Sequence, residues 1–318
     1  MNELKDKFSK MRILVIGDIM LDRYIFGDVS RISPEAPVPV VEINNEIKKL
    51  GGAANVIHNL VTLGSKPLLC GIVGADVNGG EILRELDKLD VDIRPIIIDA
   101  DRPTTVKTRL IGNGHQIVRF DNESRENIGN NGIDSVVSFV KDNIEHVDGI
   151  IISDYDKGVI SYRLMSEIFN TITERKFIVS DPHKNNFESH KYVNLITPNK
   201  DEVSAFCGFS IKNDKDMEFA VKKIFHKLVC GSVLITEGKD GMTLFEGDKK
   251  SVHIPTAAKE IFDVSGAGDT VISTICLAIS SGMDLESSVR LANSAAGVVV
   301  GKIGTATISI DELEKEVL

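Results

Sequence analysis

The sequence has little of what marks a disulfide-stapled, metal-binding, secreted or membrane-spanning protein. Its four cysteines, Cys70, Cys207, Cys230 and Cys276, stand far apart in apolar segments, so buried reduced thiols are expected rather than disulfides or a metal site. The seven histidines show no ligand spacing either. The longest uncharged run, Thr270 to Met283, is too short to span a bilayer, and the first ten residues are charged rather than a signal sequence. A cytoplasmic protein with no membrane partner is expected. Positive charge is also short: 37 Lys and Arg against 47 Asp and Glu leave a net charge of −10, which argues against a nucleic-acid surface. An anionic substrate would have to be drawn to a local cluster of Lys and Arg. Gly17-Asp18 lacks the G-x-G-x-x-G spacing of a dinucleotide fold, and no long linker or internal repeat interrupts the chain. With 318 residues, 42% of them hydrophobic, one main α/β domain plus a small appendage is plausible.

Against these absences stands Asp263-Val264-Ser265-Gly266-Ala267-Gly268-Asp269, followed by a helical pattern from Thr270. Small residues flanking Ala267 allow a tight turn that leaves N–H groups pointing outward at a helix start, where the macrodipole adds positive charge. Asp269 at the mouth of such an anion cradle could accept a proton from an attacking hydroxyl, which suggests phosphoryl transfer to an alcohol. A Ser-capped helix after a glycine turn explains the segment alone equally well. Near the N-terminus, Gly51-Gly52-Ala53-Ala54-Asn55 opens a second helical pattern, and Asn55 offers both a donor and an acceptor to a polyhydroxylated ligand.

Apolar runs bounded by turn residues alternate with helical patterns, as in a parallel sheet covered on both faces. Strands are expected at 13–16, 68–72, 149–152, 177–179, 194–196 and 233–236, with helices around 53–63, 79–89, 132–143, 161–174, 200–207 and 214–229. Asp18, Asp154, Asp181, Asn199 and Glu237 all follow strand ends, where active groups gather in such sheets. Two β-rich segments, roughly 22–48 and 93–121, break the alternation. The last residues read as a strand-like piece, Ile308-Ser309-Ile310, before an acidic helical pattern.

The GGAAN segment, about two hundred residues before the GAGD segment, resembles the paired motifs of the ribokinase-like carbohydrate kinase family. Within it, Gly17-Asp18-Ile19-Met20-Leu21-Asp22-Arg23-Tyr24 and Ser30-Arg31-Ile32-Ser33-Pro34-Glu35-Ala36-Pro37 look like the kinases of D-glycero-β-D-manno-heptose 7-phosphate. Ser153 to Gly158, Thr197 to Glu202 and Ala295 to Lys302 extend the likeness over nearly the whole chain. The resemblance implies a ribokinase-like α/β fold, a parallel-sheet sandwich with helices on both faces and the two β-rich segments forming a small lid that often dimerises. It implies ATP and Mg²⁺, and phosphorylation of the C1 hydroxyl of heptose 7-phosphate to the 1,7-bisphosphate, in ADP-heptose biosynthesis for the lipopolysaccharide core. Such kinases form the first half of a bifunctional protein; residues 1–318 are read as kinase domain alone, without a nucleotidyltransferase domain, so adenylyl transfer is expected to need a separate protein.

Carried over residue by residue, the resemblance makes Asp269 the base and the N–H groups of Gly266, Ala267 and Gly268 the cradle for the γ-phosphoryl group. Asn199 and Glu202, with Lys200 and Asp201 between them, would order Mg²⁺ and phosphate oxygens, Glu202 through water; helix capping fits the same spacing. Thr236, Gly238 and Gly241 would form the nucleotide loop, although a hairpin explains the same glycines. Asp18 and Asn55 would bind sugar hydroxyls, with Asp22, Gly51, Gly52 and Asp154 close by. Lys107, Arg109, Arg119 and Lys157 are the candidate cations for a sugar phosphate, or equally solvated edge-strand charges. Where Asp-Pro-Lys is usual, this chain has Asp181-Pro182-His183-Lys184, so a nucleotide contact is weakened or passes to Lys184. A kinase for another sugar or a nucleoside, or an inactive sugar-phosphate sensor, are the alternative readings.

Overall fold

The computed structural model describes residues 3–172, 176–247, 249–302 and 304–317, so residues 173 and 174 of the expected fourth helical segment, 161–174, lie outside the described residues. In chain order the strands are β1 (Ile13–Gly17), β2 (Ile19–Ile32), β3 (Pro39–Gly52), β4 (Leu68–Cys70), β5 (Ile72–Gly74), β6 (Ile97–Asp99), β7 (Thr105–Gly112), β8 (His115–Asn122), β9 (Gly149–Ser153), β10 (Phe177–Asp181), β11 (Leu195–Ile196), β12 (Ser232–Thr236), β13 (Met242–Phe245) and β14 (Val252–Ile254). The helices are α1 (Glu3–Lys10), α2 (Ala53–Thr62), α3 (Val77–Lys88), α4 (Asn130–Asn143), α5 (Tyr162–Thr171), α6 (Lys200–Cys207), α7 (Asp214–Leu228), α8 (Ala267–Ser280), α9 (Leu285–Val299) and α10 (Ile310–Val317).

The main sheet has the order β14-β13-β12-β11-β10-β9-β1-β4. Its strands read as continuous apolar runs because successive side chains enter two different cores. Ile13 and Val15 of β1 join Ile151, Val179 and Leu234 under α2, α8 and α9. Leu14 and Ile16 join Ile150, Ile152, Ile196 and Val233 under α4 to α7. The sheet departs from the parallel expectation at one edge: β13 runs antiparallel to both its neighbours, β12 and β14, because the short turn from Thr236 to Met242 leaves no room for a crossover.

A second sheet, ordered β3-β2-β7-β8, is built from residues 19–52 and 105–122. Residues 93–104 stay outside it, and β6 pairs instead with β5. The run expected as a single strand over 68–72 divides at Gly71 into β4 and β5, which enter different sheets. A side chain at Gly71 would meet the Gly17 carbonyl at 2.6 Å, so the chain can turn there only without a Cβ. The expected strand at 308–310 is absent. Ser309 and Glu312 form reciprocal capping bonds (Ser309 N–H to Glu312 Oε2, 2.9 Å; Glu312 N–H to Ser309 Oγ, 3.2 Å) that start α10 instead. All four cysteines are buried free thiols.

Candidate active site

Parallel register brings the strand-end acids together. Gly17 and Asp181 both pair with Ser153, so Asp18, Asp154 and Asp181 line one carboxyl edge. Asp18 is buried and accepts three backbone N–H bonds, from Tyr155 (2.8 Å), Lys157 (3.0 Å) and Val159 (3.0 Å). Its carboxylate thus braces the loop after β9, which leaves little acceptor capacity for a sugar hydroxyl. Burial, with the Asp154 charge added, pushes its pKa up to about 6 against those bonds. Asp154 is likewise engaged, by His190 Nε2 (3.0 Å), whose Nδ1 faces Ser180 Oγ, and by the N–H of Asp156 (2.8 Å).

Asp269 sits at the start of α8, buried to 2% exposure. Asn55 Nδ2 donates to its Oδ2 (2.8 Å) and the Tyr155 hydroxyl to its Oδ1 (2.7 Å). Burial raises its pKa to about 6, opposed by these two donors. The helix begins on Gly266 at φ 82° with no side-chain cap, so the Ser-cap reading of this segment is not realised. Gly266 cannot carry a side chain: its φ is left-handed and a Cβ would stand 2.8 Å from Asn55 Nδ2. The Ala267 N–H bonds back to the Val264 carbonyl (3.2 Å), leaving the first-turn N–H groups of Gly268 and Asp269 without acceptors inside the helix. Asn55 Oδ1 is buried with no partner among the described residues.

Strand alternation puts Asp22 of β2, Lys107 and Arg109 of β7, and Arg119 and Asp121 of β8 on one face of the small sheet. Three of the four expected phosphate-binding cations are neutralised by carboxylates. Arg109 pairs with Asp22 (2.5 Å), Arg119 with Asp121 (3.1 Å), and Lys157 with Glu123 (3.1 Å). Lys107 has no ion pair among the described residues; its ammonium lies 4.9 Å from the Tyr155 ring centre, and burial lowers its pKa. Gly51 backs this face, where a Cβ would overlap Asp22 Oδ2.

Beyond the α8 start lies a cavity of about 330 Å³ with a mostly apolar lining, walled by residues that include Thr236, Gly238, Ala258, Ile261, Gly268 and Asn293. Gly238 and Gly241 do form a hairpin turn, closed by Glu237 N–H to the Gly241 carbonyl at 2.8 Å, and the same turn walls this cavity. Asn199 and Glu202 form a reciprocal capping box at the start of α6 (Asn199 N–H to Oε2, 2.8 Å; Glu202 N–H to Oδ1, 2.9 Å). Glu202 keeps Oε1 outside the box, and burial pushes its pKa up to about 7. Lys200 is drawn to Glu237 (2.6 Å), while Asp201 is exposed. The backbone N–H of His183 points toward Asp154 Oδ2 (3.4 Å), and burial lowers the imidazole pKa; neither His183 nor exposed Lys184 lines the cavity.

The sequence pattern of the pfkB family carbohydrate kinases matches residues 10–312. The chain belongs to the pfkB family. As a pfkB kinase it is a phosphotransferase acting on a sugar hydroxyl. The bifunctional protein HldE of Sulfurimonas denitrificans is 42% identical over 305 residues, 96% of this chain and 64% of that protein. That of Geobacter sulfurreducens is 39% identical over 301 residues, 94% of this chain and 61% of its own length. The chain thus spans less than two thirds of these relatives. Two solved structures share the fold. Escherichia coli phosphofructokinase-2 in complex with substrates and products has a TM-score of 0.78 at 17% identity, covering 96% of this chain and 97% of that one. Arabidopsis thaliana ribokinase complexed with ribose and ATP gives 0.74 at 18%, covering 96% and 98%.

Tyr155 is not announced by the sequence pattern of this pfkB kinase, although it lies within the segment Ser153 to Gly158; an aromatic directly after a strand-end acid is the available clue. Nor does the pattern announce Ala258, Ile261 and Asn293, which only the packing of α9 against the loop before α8 brings to the cavity.

Proposed function

We propose that the chain transfers the γ-phosphoryl group of ATP to the C1 hydroxyl of D-glycero-β-D-manno-heptose 7-phosphate, giving the 1,7-bisphosphate. The observation that carries this reading is the uncapped start of α8 beside buried Asp269. The acceptor hydroxyl gives its proton to Asp269 Oδ1 as it attacks the γ-phosphorus, the bond to the β,γ-bridging oxygen breaks and ADP leaves; a base of pKa about 6 is largely ionised at neutral pH. Charge growing on the γ-phosphoryl oxygens is met by the first-turn N–H groups of α8. Adenine suits the mostly apolar cavity beside Gly268, and Asn55 Oδ1 offers an unused acceptor to a sugar hydroxyl.

Mg²⁺ fits Glu202, whose Oε1 is outside the capping box and whose raised pKa a nearby dication would lower again. Among the described residues no three His, Cys, Asp or Glu side chains converge as direct metal ligands, so a water-mediated role suits Glu202. The ion neutralises charge on the phosphate oxygens when bound.

For the far phosphate of the sugar, the reading narrows to Lys107. It is the one member of the expected cation set without a carboxylate partner among the described residues. One tyrosine ring separates it from Asp269, a spacing that a sugar ring with a distal phosphate spans. The heptose assignment itself rests on the Gly17 to Pro37 motifs and on the HldE relatives. A cytoplasmic role in ADP-heptose supply for the lipopolysaccharide core follows from the same reading; no helix among the described residues is long and apolar enough to cross a membrane. A homodimer through the small sheet is supported by Ile43 (64% exposed) and Phe120 (54%) on its strands.

Initial rates on heptose 7-phosphate and on the unphosphorylated heptose test the proposal. The phosphorylated sugar should be preferred by at least about a hundredfold, because unpaired buried cations are costly. Lys107→Met should shrink that preference and Arg119→Ala should leave it. Equal efficiency on both sugars would point to another sugar kinase, and absence of any turnover to a sensor.

A further inference from the structure

We infer that Tyr155 is a positioning residue for the catalytic base: its hydroxyl fixes the rotation of the Asp269 carboxylate and favours its charged form. The inference rests on the reading of Asp269 as the base. A carboxylate turns freely about its last bond unless both oxygens are held. Here Asn55 of α2 holds Oδ2 and Tyr155, from the loop after β9, holds Oδ1.

Tyr155 is itself well anchored. Its backbone N–H is bonded to Asp18 (2.8 Å), which also ties down the N–H groups of Lys157 and Val159. Its ring packs against the Lys107 ammonium. The hydroxyl therefore arrives at Asp269 from a braced loop on the main sheet and a side chain of the small sheet. Burial and the Asp269 charge raise the phenol pKa well above 10, so it stays protonated and can only help as a donor. A purely space-filling tyrosine would need none of this polar geometry.

The other groups bearing on Asp269 are Asp22 on β2 and Asp181 on β10, which disfavour its charge, and Lys107 on β7, which favours it. None changes when only the hydroxyl is removed. Tyr155→Phe keeps the ring and its contact with Lys107. Losing a donor to the charged form makes the carboxyl harder to ionise, so the acid limb of kcat/KM moves to higher pH.

The test is the pH profile of kcat/KM for heptose 7-phosphate with saturating ATP, together with a double-mutant cycle. Y155F should move the acid limb up by about half to one pH unit and lower kcat roughly 10- to 100-fold with KM little changed. A ring-fluorinated tyrosine at position 155, a stronger donor of nearly the same size, should move the limb the opposite way, which keeps the test sound if Y155F folds poorly. In the D269N background, removing the hydroxyl should cost less than about twofold more. An unmoved limb in both variants, or the same fold-loss with and without Asp269, overturns the positioning role. Near wild-type turnover by D269N alone would instead overturn the reading of Asp269 as base.

Discussion

At neutral pH the folded protein keeps Asp269 ionised against the pull of its own burial, which raises the pKa from 3.8 to about 6. The native state therefore binds a proton at this site more tightly than the unfolded chain does, so the site's contribution to stability falls as pH rises from about 4 to about 6 and then levels off. Keeping this buried carboxylate charged at pH 7.5 corresponds to about 3 kcal/mol of native-state cost, as an upper bound. Asp269→Asn should remove that cost, although the buried Tyr155 O–H loses its acceptor, which offsets part of the gain. The amide oxygen can accept from Asn55 Nδ2, and the amide N–H can donate to the Tyr155 hydroxyl oxygen, which has lone pairs to spare. D269N is thus expected to be more stable than the native chain at pH 7.5 by up to about 2 kcal/mol, with the advantage narrowing toward pH 5 and gone below about pH 4. Turnover should fall roughly 10²- to 10⁴-fold. Urea denaturation followed by circular dichroism measures the first effect, since the chain has no tryptophan to report by fluorescence. A variant less stable than the native chain at pH 7.5, or an advantage that does not narrow on acidification, would refute the burial argument.

Two further substitutions probe the walls of the cleft. Gly51→Ala forces a Cβ onto Asp22 Oδ2 and should break the pair with Arg109, whose partners are 5% and 14% exposed; the expected loss is about 3–5 kcal/mol in a denaturation curve, with KM for the sugar raised. Gly297→Ala puts a Cβ 2.9 Å from the Ala257 carbonyl carbon and 3.0 Å from the Ala258 nitrogen, so it should push the cavity wall inward and raise KM for ATP several-fold in steady-state assays, leaving KM for the sugar unchanged.

The parallel strands were legible because residues buried on both faces leave no alternation, and the acids after them because a strand end is visible as the last apolar residue. Asp18, Asp154 and Asp181 needed no more than that. What sequence could not carry was which of two equally good local readings the packing selects. Ser265 is a competent helix cap, yet its N–H is held by Asp263 (2.9 Å) and α8 starts one residue later on a left-handed glycine. Asn199 and Glu202 could cap or bind, and they cap while one Glu202 oxygen stays outside the box. Ile308-Ser309-Ile310 alternates like a strand, but the serine and Glu312 three residues on outweigh the alternation.

Side-chain pairing across long sequence separation was the other missing layer, and it changes what the cations are for. Arg109 and Asp22 are 87 residues apart, so no local pattern announces that they meet. Lys107, Arg109 and Arg119 occupy neighbouring positions on one face of adjacent strands, where three like charges repel. Asp22 and Asp121 are interleaved among them, so the face assembles with two of its cations already satisfied. On the proposed reading, an incoming dianion on that face would meet one ammonium without an ion pair among the described residues rather than a broad positive field. That suits a chain of net charge −10, which cannot attract anions from a distance and must recognise them by local fit. On the proposed reading, phosphate recognition on the small sheet and proton transfer at α8 would be linked through a single ring, because Tyr155 touches Lys107 with its face and Asp269 with its hydroxyl.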